Sequence, residues 1–174
     1  VAALKFVKDE WDLNNTQAGA VYSASMAGAV FAALVLIPLT DRLGPRRILI
    51  GSAILSVVAH TLFPLAANNI VTGVALRVLA GVGFLGVYTP GLRIVAERFA
   101  GGGRGTAIGV FVTAQYAAHS GSLAITGALM AALDWRDAYL VMSLVAVAGM
   151  PMAYVLLRSA GHRPSLGATG MLNM

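Results

Sequence analysis

The sequence predicts an all-α protein built as a polytopic bundle of membrane-spanning helices. Of its 174 residues, 58% are hydrophobic and only 11% are charged, whereas a soluble domain carries about 25% charged residues. The charges are also clustered, because no Asp, Glu, Lys or Arg occurs in residues 13–40, 48–76, 105–133 or 138–157. Each run is as long as the roughly 20 apolar residues that a membrane-spanning helix needs.

Six helices are expected in chain order, the first being only the end of a helix whose start is missing. Their predicted spans are 1–8 (partial), 16–38, 47–66, 70–91, 105–132 and 138–158. Asn15 or Thr16 is the expected N-cap of the second helix. Residues 1–158 would thus form one transmembrane domain, and the polar, small-residue-rich stretch 159–174 a cytoplasmic linker or tail.

Small residues recur at helical spacing inside these spans. Gly105 and Gly109 are four residues apart, and Gly19, Ser23 and Ala27 repeat this spacing on the second helix. In lipid, small residues at this spacing let helix backbones approach closely. The pattern therefore predicts close helix packing at these positions.

The distribution of Lys and Arg sets the orientation. Three arginines lie in residues 40–47, three in residues 93–104 and two beyond residue 157, against three cations on the opposite side. Since cytoplasmic loops carry the excess of Lys and Arg, residues 40–47 and the C-terminal tail are expected in the cytoplasm. The net charge of +5 is then a topological signal, and no nucleic-acid partner is expected.

The charged segment TDRLGPRR, preceded by IPL, resembles the cytoplasmic loop between helices 2 and 3 of the major facilitator superfamily, whose pattern is roughly G-x-x-x-D-R-x-G-R-R. The matching residues are Asp41, Arg42, Gly44, Arg46 and Arg47. Ile37 stands in place of the first glycine of the pattern, and Pro45 displaces the first of its paired basic residues. RVLAGVG in the fourth helix is similar to the family's R-x-x-Q-G-x-G, with Ala80 replacing the glutamine, and DWRDAYLV resembles the family's start of helix 6.

This resemblance implies the N-terminal six-helix half of a twelve-helix transporter, lacking most of helix 1. Such proteins move a small-molecule substrate by alternating access between two halves that enclose a site near the bilayer midplane. The expected partners are therefore the substrate, the lipid bilayer and the missing C-terminal half. The expected location is the bacterial cytoplasmic (inner) membrane.

A cytoplasmic latch between the two halves is a further implication of the resemblance. Its candidate residues, on the 2–3 connection and the neighbouring 4–5 connection, are Asp41, Arg42, Gly44, Arg46, Arg47, Glu97, Arg98 and Arg104. Asp41 would face the other half, while ion pairs could link the hinge to the 4–5 connection. The alternative is that these charges only fix topology and a tight turn.

Polar side chains inside the spans are the candidates for a substrate or proton path. Arg77 lies about 12 Å along its helix from Asn69, at ~1.5 Å per residue, and an arginine at such depth normally faces the bundle interior or water. Gln115, His119 and Ser122 form a polar stripe on the fifth helix, and Tyr22 is a weaker candidate on the second. Arg77 favours an anionic substrate, and His119 would suit proton coupling because its charge changes near neutral pH.

Other interpretations remain beside this one. Arg77 could be structural, held by carbonyl groups, and His119 could serve only as an interhelical hydrogen-bonding group. His60 on the third helix belongs to no such stripe, and a structural or interfacial role is expected for it. The sequence has no cysteine, no metal-ligand cluster, no nucleotide-binding glycine loop and no nucleophile–base pair, so no metal, cofactor or enzymatic activity is expected. The main rival function is a membrane scaffold or receptor-like bundle without transport.

Overall fold

The computed structural model describes residues 3–160, and within them the chain forms six helices and no strand. The helices are α1 (Leu4–Glu10), α2 (Asn15–Leu43), α3 (Pro45–Ala66), α4 (Ile70–Arg98), α5 (Arg104–Leu129) and α6 (Trp135–Ala160). This confirms the predicted all-α bundle. Residues 161–174, most of the predicted tail, lie outside the described residues.

The helix ends are fixed by local hydrogen bonds. Asn14, not Asn15 or Thr16, caps α2, since its side chain accepts from the Gln17 N–H while the Gln17 side chain accepts from the Asn14 N–H. Asn69 and Thr72 form the same reciprocal arrangement at the start of α4. Such capping boxes satisfy two N–H groups that a helix leaves unpaired.

The hinge between α2 and α3 is a single residue, Gly44. Its φ of 84° and ψ of 148° lie outside the range that other residues readily adopt. Pro45 then occupies the first turn of α3, where its missing N–H costs no hydrogen bond. The helices therefore continue through most of TDRLGPRR, beyond the predicted ends at residues 38 and 47.

Helix α4 also continues past its predicted end, from residue 91 to Arg98. The Arg93 Nε lies 2.8 Å from the Glu97 Oε1, and an ion pair at this i, i+4 spacing supports a helix. The sequence therefore forms a helical extension of α4 where a loop was predicted.

The closest helix contact is between α2 and α4, and glycine makes it possible. A Cβ at Gly28 would overlap the Val78 carbonyl oxygen, and a Cβ at Gly81 would overlap the Ser25 carbonyl oxygen. On the other side of α4, a Cβ at Gly83 would lie 2.8 Å from the Ser56 Cα in α3. Because glycine lets backbones approach, α4 is held between α2 and α3 as the centre of the bundle.

Within the described part of the chain, three helices are long and apolar enough to cross a membrane, namely α2, α3 and α4. Helix α5 has 26 residues but carries more polar side chains, and it packs only lightly against α4 and α6. Gly19, Gly105 and Gly109 have no neighbouring atom within 4 Å of a built Cβ. The close packing predicted at these glycines is therefore not made among the described residues.

Candidate functional site

A cavity of about 550 Å³ opens between α2, α3, α4, α5 and α6. Its polar lining residues are Tyr22, Ser25, Ser56, His60, Arg77, His119, Ser122, Thr126, Tyr139 and Ser143. No Asp or Glu among the described residues lines it. The cavity therefore combines a permanent positive charge with neutral hydrogen-bonding groups.

The cavity brings together four of the five residues predicted to line a path. Tyr22, Arg77, His119 and Ser122 all line it, although they come from three different helices. Gln115 lies elsewhere on α5 and does not contribute to the lining. The predicted stripe on α5 therefore meets the cavity only from His119 onward.

Arg77 is half-buried on α4 and held by two aromatic side chains. Its Nη2 donates to the Tyr139 Oη over 3.1 Å, and its guanidinium carbon lies 4.1 Å from the centroid of the Phe63 ring. Among the described residues, no carboxylate pairs with it. Aromatic faces attract a cation without neutralising its charge, so the positive charge of Arg77 remains available to the cavity.

Phe63 and Tyr139 belong to a larger cluster at the end of the bundle where α1 ends. Phe63 is only 3% exposed, and its ring centroid lies 6.3 Å from that of Trp11, 6.2 Å from Trp135 and 5.9 Å from Tyr139. Centroid distances of 4.5–7 Å are favourable for aromatic pairs. The cluster therefore fixes the two rings that hold Arg77. Neither Phe63 nor Tyr139 was among the residues that the sequence predicted for the site. The sequence offered one signal, which is that Tyr139 lies in the family-like segment DWRDAYLV at the start of α6.

An ion pair fastens this cluster at the same end of the bundle. The Glu10 carboxylate lies 2.6 Å from the Arg136 Nη2 and accepts a 2.6 Å bond from the Trp135 Nε1. Arg136 also donates to the Pro64 carbonyl oxygen near the end of α3. Partial burial raises the pKa of the Glu10 carboxyl, but the hydrogen bonds from Arg136 and Trp135 outweigh burial and bring that pKa below its ordinary value. We call Glu10, Trp135 and Arg136 the outer clamp.

The two histidines of the cavity differ in their surroundings. His60 on α3 is half-buried, with Nδ1 2.7 Å from the Ser56 carbonyl oxygen, so Nδ1 carries the proton of the neutral ring. His119 on α5 is exposed and, within the described residues, makes no hydrogen bond. His60 was expected to be structural, and the structure shows both a backbone hydrogen bond and a place in the cavity lining.

At the end of the bundle where α2 meets α3, Asp41 is paired within the described part of the chain. The Arg93 Nη1 lies 2.5 Å from the Asp41 Oδ1, and the same guanidinium binds Glu97. The hinge is thus joined to Glu97 through Arg93, which sequence reasoning counted only as a topological charge. The i, i+4 spacing of Arg93 and Glu97 was the signal for it. The remaining latch candidates, all exposed, are Arg42, Arg46, Arg47, Arg98 and Arg104.

The sequence profile of the Major Facilitator Superfamily matches residues 1–170. The 4-hydroxybenzoate transporter PcaK of Pseudomonas putida is 33% identical over 131 residues, which cover 66% of this chain and 29% of that transporter. PcaK of Pseudomonas aeruginosa is 30% identical over 184 residues, covering 92% and 38% of the two chains.

A gallate transporter of Pseudomonas putida is also similar, at 27% identity over 173 residues that cover 90% of this chain and 36% of the transporter. The chain thus spans about a third of the length of the curated relatives it matches. No solved structure matches the chain.

Proposed function

The chain belongs to the Major Facilitator Superfamily, and on that premise we propose that it acts as the N-terminal half of a secondary transporter for small aromatic carboxylates. It is an integral membrane protein of a family of non-enzymatic transporters. Transport would proceed by alternating access, with the second half closing over the cavity from the opposite side.

The observation that supports this function best is the un-neutralised charge of Arg77 in the cavity. An arginine at membrane depth costs at least ~2.5–3.5 kcal/mol on insertion scales. Two aromatic partners reduce this cost without supplying a countercharge. A substrate carboxylate would supply it, and guanidinium–carboxylate hydrogen bonds are about twice as strong as neutral ones.

The aromatic part of the substrate is inferred from the lining and from the relatives. Tyr22, Phe84 and Tyr139 line the cavity, and planar rings of this kind favour another aromatic ring. Two of the similar proteins are named for 4-hydroxybenzoate and one for gallate. A hydroxylated aromatic acid therefore fits both the charge and the shape of the lining.

The test is uptake of radiolabelled 4-hydroxybenzoate into proteoliposomes that contain the complete transporter. Arg77→Gln should lower uptake on the order of 10- to 100-fold, because it removes a charged hydrogen-bonding partner worth about 1.5–3 kcal/mol. Lys5→Gln is the matched control, since Lys5 is an exposed cation outside the cavity. Equal uptake by the two variants would overturn the proposal, as would equal competition by the neutral 4-hydroxybenzaldehyde.

Proton coupling is the second part of the proposal, with His119 as the proton-carrying group. His119 lines the cavity beside Ser122, and histidine is a side chain that commonly serves as a proton shuttle in proteins. An imposed pH difference should drive substrate accumulation by the wild type, and His119→Gln should abolish the accumulation while leaving exchange across the membrane. Accumulation that is insensitive to the pH difference would exclude this role.

The cytoplasmic latch is the third part. Asp41, exposed over 66% of its side chain while bound to Arg93, retains carboxylate surface with which it could contact the second half. Charge-assisted contacts of this kind would stabilise one gate of the cycle. Arg42, Gly44, Arg46, Arg47, Glu97, Arg98 and Arg104 would shape and support the same surface.

A further inference from the structure

We infer that Tyr139 is a substrate-binding residue, and that its hydroxyl forms a two-donor carboxylate site together with the Arg77 guanidinium. This inference rests on the proposed function, because it assigns a second binding group to the same cavity. It begins from one hydrogen bond, the 3.1 Å contact between Arg77 Nη2 and Tyr139 Oη.

The direction of that hydrogen bond is fixed by chemistry. A guanidinium has donors only, so the Tyr139 oxygen must accept, and the phenolic proton is left for another partner. Within the described part of the chain, no group accepts that proton. Tyr139 is half-buried in the cavity lining, so its hydroxyl proton can be donated to a ligand that enters the cavity.

Both donors are held in place before a ligand enters. The Phe63 ring covers one face of the guanidinium at 4.1 Å, which restrains the plane of Arg77. The Tyr139 ring packs against Phe63 at 5.9 Å and meets Trp135 edge-on at 6.2 Å. Groups that are already ordered lose little entropy on binding.

A carboxylate is the ligand class that satisfies this pair of donors. Its two oxygens can accept from the guanidinium and the hydroxyl together, and its charge offsets that of Arg77. A neutral amide has one carbonyl oxygen and no charge, so it would satisfy the pair less well. The site should therefore discriminate between an aromatic carboxylate and its amide.

The experiment measures displacement of labelled 4-hydroxybenzoate from the purified complete transporter by benzoate and by its neutral isostere benzamide. Tyr139→Phe removes the hydroxyl and keeps the ring, so the aromatic cluster is preserved. Tyr116→Phe is the matched control, because Tyr116 on α5 is 69% exposed and lies outside the cavity lining. Tyr139→Phe should weaken benzoate binding about 10-fold, the effect of losing one hydrogen bond to a charged group.

Benzamide binding should change less, so the preference for benzoate over benzamide should fall by at least about 3-fold in Tyr139→Phe. This ratio does not depend on the fraction of active protein, so a lower yield of the variant leaves the result interpretable. An unchanged ratio in Tyr139→Phe, equal to that of Tyr116→Phe, would overturn the inference while the proposed function stands. A wild type without preference for benzoate would instead refute the proposed function.

Discussion

The contact between α2 and α4 leads to a quantitative prediction about Gly28. An alanine Cβ at this position would overlap the Val78 carbonyl oxygen and lie 2.8 Å from the Val78 carbonyl carbon. Carbon atoms prefer separations of about 3.5–4.0 Å, so the helices would have to separate by roughly 1 Å. Val78 adjoins Arg77, so the same shift would also move the cationic group of the cavity.

The expected cost of Gly28→Ala follows from two opposing contributions. Overpacking typically costs about 1–3 kcal/mol, and the upper end applies because the obstructing atoms are backbone and cannot rotate away. Alanine recovers about 1 kcal/mol through its higher helix propensity. The net destabilisation should therefore be about 2 kcal/mol.

Thermal unfolding of the purified complete transporter in detergent measures this effect. Gly51→Ala is the control, because Gly51 lies inside α3 with nothing within 4 Å of a built Cβ. The thermal unfolding midpoint of Gly51→Ala should equal or exceed that of the wild type, whereas the midpoint of Gly28→Ala should fall below it. A Gly28→Ala midpoint at or above that of Gly51→Ala would refute the close α2–α4 contact.

Three further predictions concern the ends of the bundle. The pKa of Glu10 in the folded protein is lowered from 4.5. The outer clamp therefore contributes its full stabilisation of the fold above pH 4.5, and this contribution is lost as the pH falls through the lowered pKa. Acidification should therefore lower the unfolding midpoint of the wild type more than that of Glu10→Gln; equal acid sensitivity would exclude the clamp. Asp41→Asn should leave the unfolding midpoint nearly unchanged, since Asp41 and Arg93 are exposed, yet slow uptake because gate motions limit many transport and catalytic cycles; unchanged uptake would contradict the latch. Gly44→Ala should cost about 1–3 kcal/mol because its φ of 84° strains other residues, and a midpoint equal to that of Gly51→Ala would show the hinge to be unstrained.

The helices themselves were predictable because their signals are local. Long uncharged runs predict helices in lipid, and the cores of α2, α3, α5 and α6 lie where those runs do, whereas the run in α4 is interrupted by Arg77. The ends were less predictable, since they depend on single contacts such as the Asn14–Gln17 cap and the Arg93–Glu97 pair. Small-residue spacing likewise showed where helices could approach, but not which glycines do so. Gly28 makes the close contact, whereas Gly19 on the same helix does not.

The candidate site was predictable only in its polar members. Arg77 stood out because charge inside a membrane span is costly. Its partners Phe63 and Tyr139 did not, since aromatic residues are ordinary in membrane helices and their meeting depends on how α3, α4 and α6 pack. Gln115 illustrates the opposite error, because helical spacing placed it on the stripe while the packing of α5 leaves it outside the cavity lining.

If the cavity beside Arg77 is the path of the substrate, bound substrate should protect a cysteine introduced into that cavity from a thiol reagent. This chain contains no cysteine, and Ser122 lines the cavity. In a complete transporter with no other cysteine, a soluble thiol reagent should label Ser122→Cys, and a saturating transported carboxylate should slow that labelling severalfold. Labelling of Ala100→Cys, on the exposed connection after α4, should be unaffected. Equal labelling of Ser122→Cys with and without the carboxylate would show that the substrate does not occupy the cavity.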